Sequence, residues 1–206
     1  MLEVRYTDTS CWSAAIRGMR NPMNSWDRID SKEVNGEFVV GDNDLDLMQR
    51  LNKAGTEHAK FMRYIIVTMD VTAPLYWWKE FDTYKVGTVA NSQSTMHKLC
   101  SKEITIRDFS FDDDDELYAK YIANTIASCE ELRKKYLETK DKKYWRLLIQ
   151  LLPEGYNQTR TILLNYQVLQ NIYRQRKTHK LKEWHTFCNW IETLPYSKLI
   201  TFPKDD

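Results

Sequence analysis

The passage from Phe61 to Leu75 constrains the fold more than any other part of the chain. From Phe61 to Val71 the residues are mostly apolar, with β-branched Ile65, Ile66, Val67 and Val71, and Arg63 and Asp70 are the only strong charges. That pattern predicts one buried or half-buried strand. Thr72 can cap a helix that follows, and Pro74 in its first turn gives up no intrahelical hydrogen bond, so the strand is expected to turn into a helix over 73–85 that ends at Gly87. The junction commits the chain to mixed α and β structure.

The remaining patterns are mainly helical. Leu45, Met48 and Leu51 share a face over 44–54, with Asn43 or Asp44 available to cap the first turn. Upstream, Asn35-Gly36 between Val34 and Phe38-Val39-Val40 predicts a small hairpin. The acidic run Asp112 to Glu116 precedes a stripe of Leu117, Tyr121, Ile122, Ile126, Cys129 and Leu132, as suits the positive end of a helix dipole. The same aspartates could bind a divalent cation. After Pro153-Glu154-Gly155, helical spacing is read over 158–176 and 181–194, the second with Leu181, Trp184, Cys188 and Ile191 on one face. The expected fold is α+β, a helix-rich single domain over 1–206 with a small antiparallel sheet.

Composition narrows the function classes. With 42% hydrophobic residues, seven Trp, twelve Tyr and seven Phe in 206 residues, collagen-like, low-complexity and disordered chains are excluded. Thirty basic against 29 acidic side chains leave a net charge of +1, which argues against nucleic acid or an anionic membrane as partner. Cys11, Cys100, Cys129 and Cys188 form no C-x-x-C pair, and no zinc-type spacing joins them to His58, His97, His179 or His185. Reduced thiols, the absence of a leader-like N-terminus and the absence of any apolar run of about 18 residues lead to an expected cytoplasmic location.

Two polar regions could carry chemistry. The first is Thr83 to Lys98, where hydroxyls, amides, Lys85 and Lys98 could cradle a phosphate or read a base edge, or could form an ordinary surface loop. Ser94 and His97 allow a triad on paper that no spacing supports. The second region runs from Asn165 through Asn171 to Arg176 and the basic segment 174–182, open to a phosphate, to nucleic acid or to solvent alone. His58 taken alone reads as a structural histidine sooner than as a ligand. The adjacent Trp77 and Trp78 suit an interface or a core.

These regions, in this order, resemble the flavin-dependent thymidylate synthases from about residue 50 to 190. Glu57-His58-Ala59-Lys60-Phe61 resembles the family's E-H-x-x-F step, and Val71 to Tyr76 resembles its strand-to-helix passage. Thr83-Tyr84-Lys85 falls at the R-H-R signature and Asn91 to His97 at N-E-x-S-x-R-Y, with one residue inserted between them. Leu152-Pro153 resembles the L-P before the family's long helix, and Asn165 to Arg176 its N-x-R-S-L-x-N-x-x-x-x-R pattern.

Carried over residue by residue, the resemblance assigns His58, Lys85, Asn165 and Asn171 to flavin. It assigns Ser92, Gln93, Ser94 and Arg176 to a pyrimidine nucleotide, with Ser94 beside the reacting uracil. It implies FAD, NADPH and methylenetetrahydrofolate as cofactor and co-substrates, methyl transfer to C5 of dUMP, and a homotetramer with ligand sites between subunits. The departures are specific: Thr83, Tyr84 and Lys85 keep one charge of the signature, Met96 and Gln167 replace arginines, and Ile149 stands where another is usual. Arg146, Arg160 and Arg174 lie where they could substitute. The alternative implied by these losses is a catalytically inactive homologue that serves as a nucleotide-binding or protein-binding module.

Overall fold

A strand and a helix meet at Pro74, as the apolar run requires, although both boundaries move. The computed structural model describes residues 1–112 and 116–201, and the side chains of all but 116–118 among these. Residues Ala59–Arg63 form a 3-10 turn, the strand is Ile66–Pro74 and the helix is Leu75–Phe81. Within the strand, Val67, Met69, Val71 and Ala73 are buried while the residues between them are not. This is the period-2 alternation of a strand with one face in the core. Thr72 is no cap: its hydroxyl pairs with that of Thr159 at 2.7 Å. The helix N-terminus is served instead by backbone, with Leu75 N and Tyr76 N donating to the carbonyls of Tyr156 and Glu154 at 3.0 and 3.1 Å.

In chain order the described elements are β1 (Glu3–Ser10), α1 (Trp12–Arg20), β2 (Lys32–Val34), β3 (Glu37–Val39), α2 (Asp42–Ala54), β4 (Ile66–Pro74), α3 (Leu75–Phe81), β5 (Val89–Ser92), α4 (Thr95–Lys98), α5 (Glu116–Thr139), α6 (Lys142–Leu151), β6 (Asn157–Asn165), α7 (Tyr166–Arg176), α8 (Lys182–Glu192) and α9 (Lys198–Thr201). The fold is α+β and helix-rich, with a small antiparallel sheet. Four strands follow the order β1-β4-β6-β5, and β2 pairs with β3 in an antiparallel hairpin. Asn35 and Gly36 turn that hairpin with positive φ of 54° and 83°, as expected of Asn-Gly.

Two expectations are corrected here. Residues 158–165 are not helical: they form β6, in which β-branched Thr159, Thr161 and Ile162 suit a pleated strand. Asn165, at φ −131° and ψ 168°, makes the switch, its Oδ1 accepting the backbone N–H of Val168 at 3.1 Å so that α7 begins at Tyr166. Helix α2 also starts differently, because neither Asn43 nor Asp44 caps it. Its N-cap is Gly41, and the Asp30 carboxylate accepts the N–H groups of Asn43 and Asp44 at 2.8 and 3.0 Å. A Cβ on Gly41 would sit 2.3 Å from Asp30 Cγ, so only glycine admits that carboxylate. The metal reading of the acidic run rests on Asp113, Asp114 and Asp115, which lie outside the described residues.

The chain divides into two compact units built from alternating segments. The first comprises residues 1–3, 71–83 and 91–161, with a core of Leu99, Ile104, Phe109, Cys129, Leu148 and Tyr156. Trp77 and Trp78 are both buried in it, Trp77 stacked on Phe81 at 5.1 Å, so they serve packing. The second comprises 4–70, 84–90 and 162 onward, with Trp12 edge-on to Tyr166 at 5.3 Å and Ile16, Met48, Met62, Ile65, Trp184 and Phe187 fully buried. Among the described residues no helix is long and apolar enough to cross a membrane.

In the first unit Arg133 donates to both oxygens of Glu130, at 2.6 and 2.7 Å, and Ile104 N adds a third bond to the same carboxylate. Hydrogen bonding from Arg133 holds the Glu130 carboxyl below the ordinary glutamate range. A lowered carboxyl stabilises the native state fully above the unfolded pKa and loses that contribution as pH falls through the folded value. Urea midpoints are therefore expected to fall from pH 6 to pH 3, and Glu130→Gln, although less stable at pH 6, should show a shallower fall. An identical slope in the variant would refute the assignment.

Candidate functional site

The residues predicted to meet the uracil, Ser92, Gln93 and Ser94, lie in the first unit at the end of β5 and just after it. Gln93 is pinned by two bonds to β6, its N–H donating to Thr159 O and its carbonyl accepting Gln158 Nε2, both at 2.8 Å. Ser94 follows as the N-cap of α4, with Oγ accepting the backbone N–H of His97 at 3.1 Å. Its contact with His97 is thus a backbone cap, which removes the triad reading. Ser92 and Gln93 are exposed and Ser94 is half-buried, so all three side chains reach the surface. Trp145 of α6 donates Nε1 to Met96 O at 3.0 Å and holds the short helix down.

The α7 half lies in the second unit. The loop that replaces the R-H-R signature runs along this helix from its C-terminal end to its N-terminal end. At the C-terminal end the Tyr84 hydroxyl donates to Gln175 Oε1 at 2.8 Å and accepts from Arg176 Nε at 2.9 Å. The Arg176 guanidinium also lies over the Trp184 ring, 4.8 Å from its centroid. At the N-terminal end Gly87, at φ +78°, passes so close that a Cβ would meet Asn165 Nδ2 at 3.0 Å and Val168 Cγ2 at 3.4 Å. That approach and that backbone angle are why the loop carries glycine there. Asn165 is 9% exposed and committed to its cap, Asn171 and Lys85 are exposed, and Arg176 is half-buried.

The position at which Gln167 replaces an arginine proves to be interior. Gln167 is 8% exposed and joins a file of amides: Asn52 Nδ2 donates to Leu199 O at 2.7 Å, Gln170 Nε2 to Asn52 Oδ1 at 3.0 Å, and Gln167 Nε2 to Gln170 Oε1 at 3.1 Å. Gln167 Nε2 also lies 3.4 Å from Asn171 Oδ1, so the acceptor of the Asn171 carboxamide faces inward. A cation at 167 would have no carboxylate in this file to meet it. Of the arginines placed to substitute, Arg160 is spent on Asp82 at 2.7 Å and on the Trp78 face at 4.2 Å, whereas Arg146 and Arg174 are exposed.

His58 stands elsewhere in the second unit, exposed, on the wall of a cleft of about 1100 Å³. Arg28, Arg50, Lys60 and Tyr64 share that wall, while Asn165, Asn171 and Arg176 do not line it. Spacing gave no sign of this cleft, because three separate segments, 18–28, 43–51 and 57–64, build it. No activated thiol is present among the buried cysteines: burial raises the Cys129 thiol and pushes Cys188 up to about 11. Among the described residues no group of three or more His, Cys, Asp or Glu side chains could hold a metal ion.

No protein-family profile matches the sequence and no curated protein matches it. Solved structures do. The flavin-dependent thymidylate synthase ThyX of Helicobacter pylori, complexed with FAD and dUMP, superposes with a TM-score of 0.73 at 18% identity over 97% of both chains. A second structure of that enzyme with FAD and dUMP gives the same TM-score and identity over 100% of both. The UMP/dUMP methylase PolB of Streptomyces cacaoi, bound to 5-Br dUMP, gives a TM-score of 0.60 at 14% identity over 94% of this chain and 89% of that one. The chain therefore has the fold of these proteins.

Proposed function

We propose that this chain is a divergent flavin-dependent thymidylate synthase-like protein that binds a pyrimidine nucleotide, dUMP first among them, beside FAD. The observation that carries the reading is the likeness over 97–100% of both chains to two structures that hold FAD and dUMP. A chain decayed into an unrelated role has no reason to keep every element of the length. Each within its own unit, Ser92, Gln93 and Ser94 are the residues for a uracil, and Arg176, a planar bidentate donor, is the residue for a phosphate. Asn171, exposed and with its oxygen turned toward Gln167, offers its NH2 to a flavin carbonyl.

The residues present fit a flavin dinucleotide in chemistry. The His58 cleft supplies Arg28 and Lys60 for a pyrophosphate, with Arg50 held on Asp46 at 2.8 Å beside them, and the half-exposed Tyr64 ring for a planar base, while Asp27, Asp46 and Glu57 on the same wall limit the charge it offers an anion. Lys85 keeps one cation in the loop. Bound FAD, reduced by NADPH, would supply the reducing power for the methyl transfer, with methylenetetrahydrofolate as the one-carbon donor. A cytoplasmic homotetramer with ligands shared between subunits belongs to the same reading. The interleaved segments of the two units suit one domain over 1–206.

A second reading, an inactive binding module, is favoured by one observation. The loop at the signature position lies on Asn165 and Arg176 with a tyrosine where the signature has its histidine. An absorption spectrum of the purified protein with added FAD and dUMP separates the two. Stoichiometric flavin, lost in Asn171→Ala, supports the enzyme reading and leads to a tritium-release assay at C5. A folded protein that takes up no flavin under any condition sinks it and leaves the module.

A further inference from the structure

We infer that Tyr84 is a positioning residue for the nucleotide phosphate, acting through Arg176. The inference rests on the reading of Arg176 as the phosphate ligand and adds a role that the loop's loss of arginine and histidine does not suggest. An arginine side chain loses much rotamer freedom when it is fixed, so a guanidinium that must meet a phosphate in one orientation binds better when something else already orients it. Here two contacts do so. Tyr84 Oη accepts from Arg176 Nε at 2.9 Å, and the Trp184 ring supports the guanidinium face at a centroid distance of 4.8 Å. A planar fork held at Nε and on its face keeps its plane fixed, and with it the direction in which its donors point.

The hydroxyl is itself fixed. Its proton goes to Gln175 Oε1 at 2.8 Å, which turns a lone pair toward Arg176. The Tyr84 ring meets Trp184 edge-on at 6.2 Å, so the two aromatic residues brace each other around the cation. Tyr84 is 92 residues from Arg176 in sequence, and Gly87, through its close approach to Asn165, anchors the far end of the same loop. The tyrosine thus orients the guanidinium by neutral hydrogen bonding.

The test is a double-mutant cycle read by dUMP binding, with deoxyuridine, which lacks the phosphate, as the parallel probe. Tyr84→Phe keeps the ring and its contact with Trp184, and a thermal melt checks that it folds. The expected result is about tenfold weaker dUMP binding, unchanged deoxyuridine binding, and no additional loss when Tyr84→Phe is placed on Arg176→Lys. Unchanged or tighter dUMP binding in Tyr84→Phe overturns the inference. So does an equal loss for deoxyuridine, or an undiminished further loss in the Arg176→Lys background. If the unaltered protein binds no dUMP, the proposed function fails and the inference with it, a result distinct from the others.

Discussion

Asp44→Ala is expected to destabilise the protein by about 3–5 kcal/mol, measured as the change in unfolding free energy in urea. Asp44 is fully buried and Arg20 is 4% exposed, and Arg20 Nε donates to Asp44 Oδ1 at 2.6 Å. The other carboxylate oxygen accepts from Asp30 N at 3.2 Å, Ser31 N at 3.0 Å and Ser31 Oγ at 2.6 Å. Removing the carboxylate leaves a guanidinium and three further donors without their acceptor in a nearly dry site, and stranded charge is what makes half of a buried pair costly to delete. Replacing both partners, as Arg20→Met with Asp44→Leu, should cost much less than Asp44→Ala alone. A loss below about 1 kcal/mol in Asp44→Ala would mean that Arg20 swings into the adjacent cleft. Arg20 lines that cleft, and its tie to Asp44 leaves Arg28, Lys60 and Arg50, the last paired with Asp46 at 2.8 Å, as the other cations there.

Local patterns made some of this legible. The β4 alternation, the Asn35-Gly36 hairpin, the Met48 face of α2 and the Trp184, Cys188 and Ile191 face of α8 all follow from residues a few positions apart. β6 was not legible, because Asn157–Asn165 mixes polar and apolar residues without a clean period and becomes a strand only through its neighbours in the sheet. Helix starts were misread for a similar reason. Asp30 caps α2 from twelve residues before Asp42, and carbonyls of residues 154 and 156 serve α3. At the candidate site, the spacing within α7 sufficed to single out Asn165, Asn171 and Arg176. Nothing in the sequence shows that Arg176 meets Tyr84 and Trp184, or that 167 is interior, since both depend on chain segments brought together by folding.

Arg176→Ala is expected to weaken dUMP binding about 10- to 150-fold and to leave deoxyuridine binding nearly unchanged, as measured by calorimetry at fixed salt. A charge-assisted hydrogen bond contributes about 1.5–3 kcal/mol, which sets that range. The loss should exceed that of Tyr84→Phe, because alanine removes the charge and the donors while phenylalanine removes only what orients them. The variant should also lose a pH dependence. A phosphate monoester takes its second charge near pH about 6, so a guanidinium that binds it makes dUMP binding tighten as pH rises through that value. Binding of the dianion lowers the phosphate pKa in the complex, so the gain is complete above the free value and is lost as pH falls from there through the lower value of the complex. Without Arg176 the profile should flatten between pH 5 and 7. A variant that binds dUMP as tightly as the unaltered protein, or keeps the full pH dependence, would place the phosphate on another cation such as Lys85. The aromatic brace around Arg176 would then be packing alone.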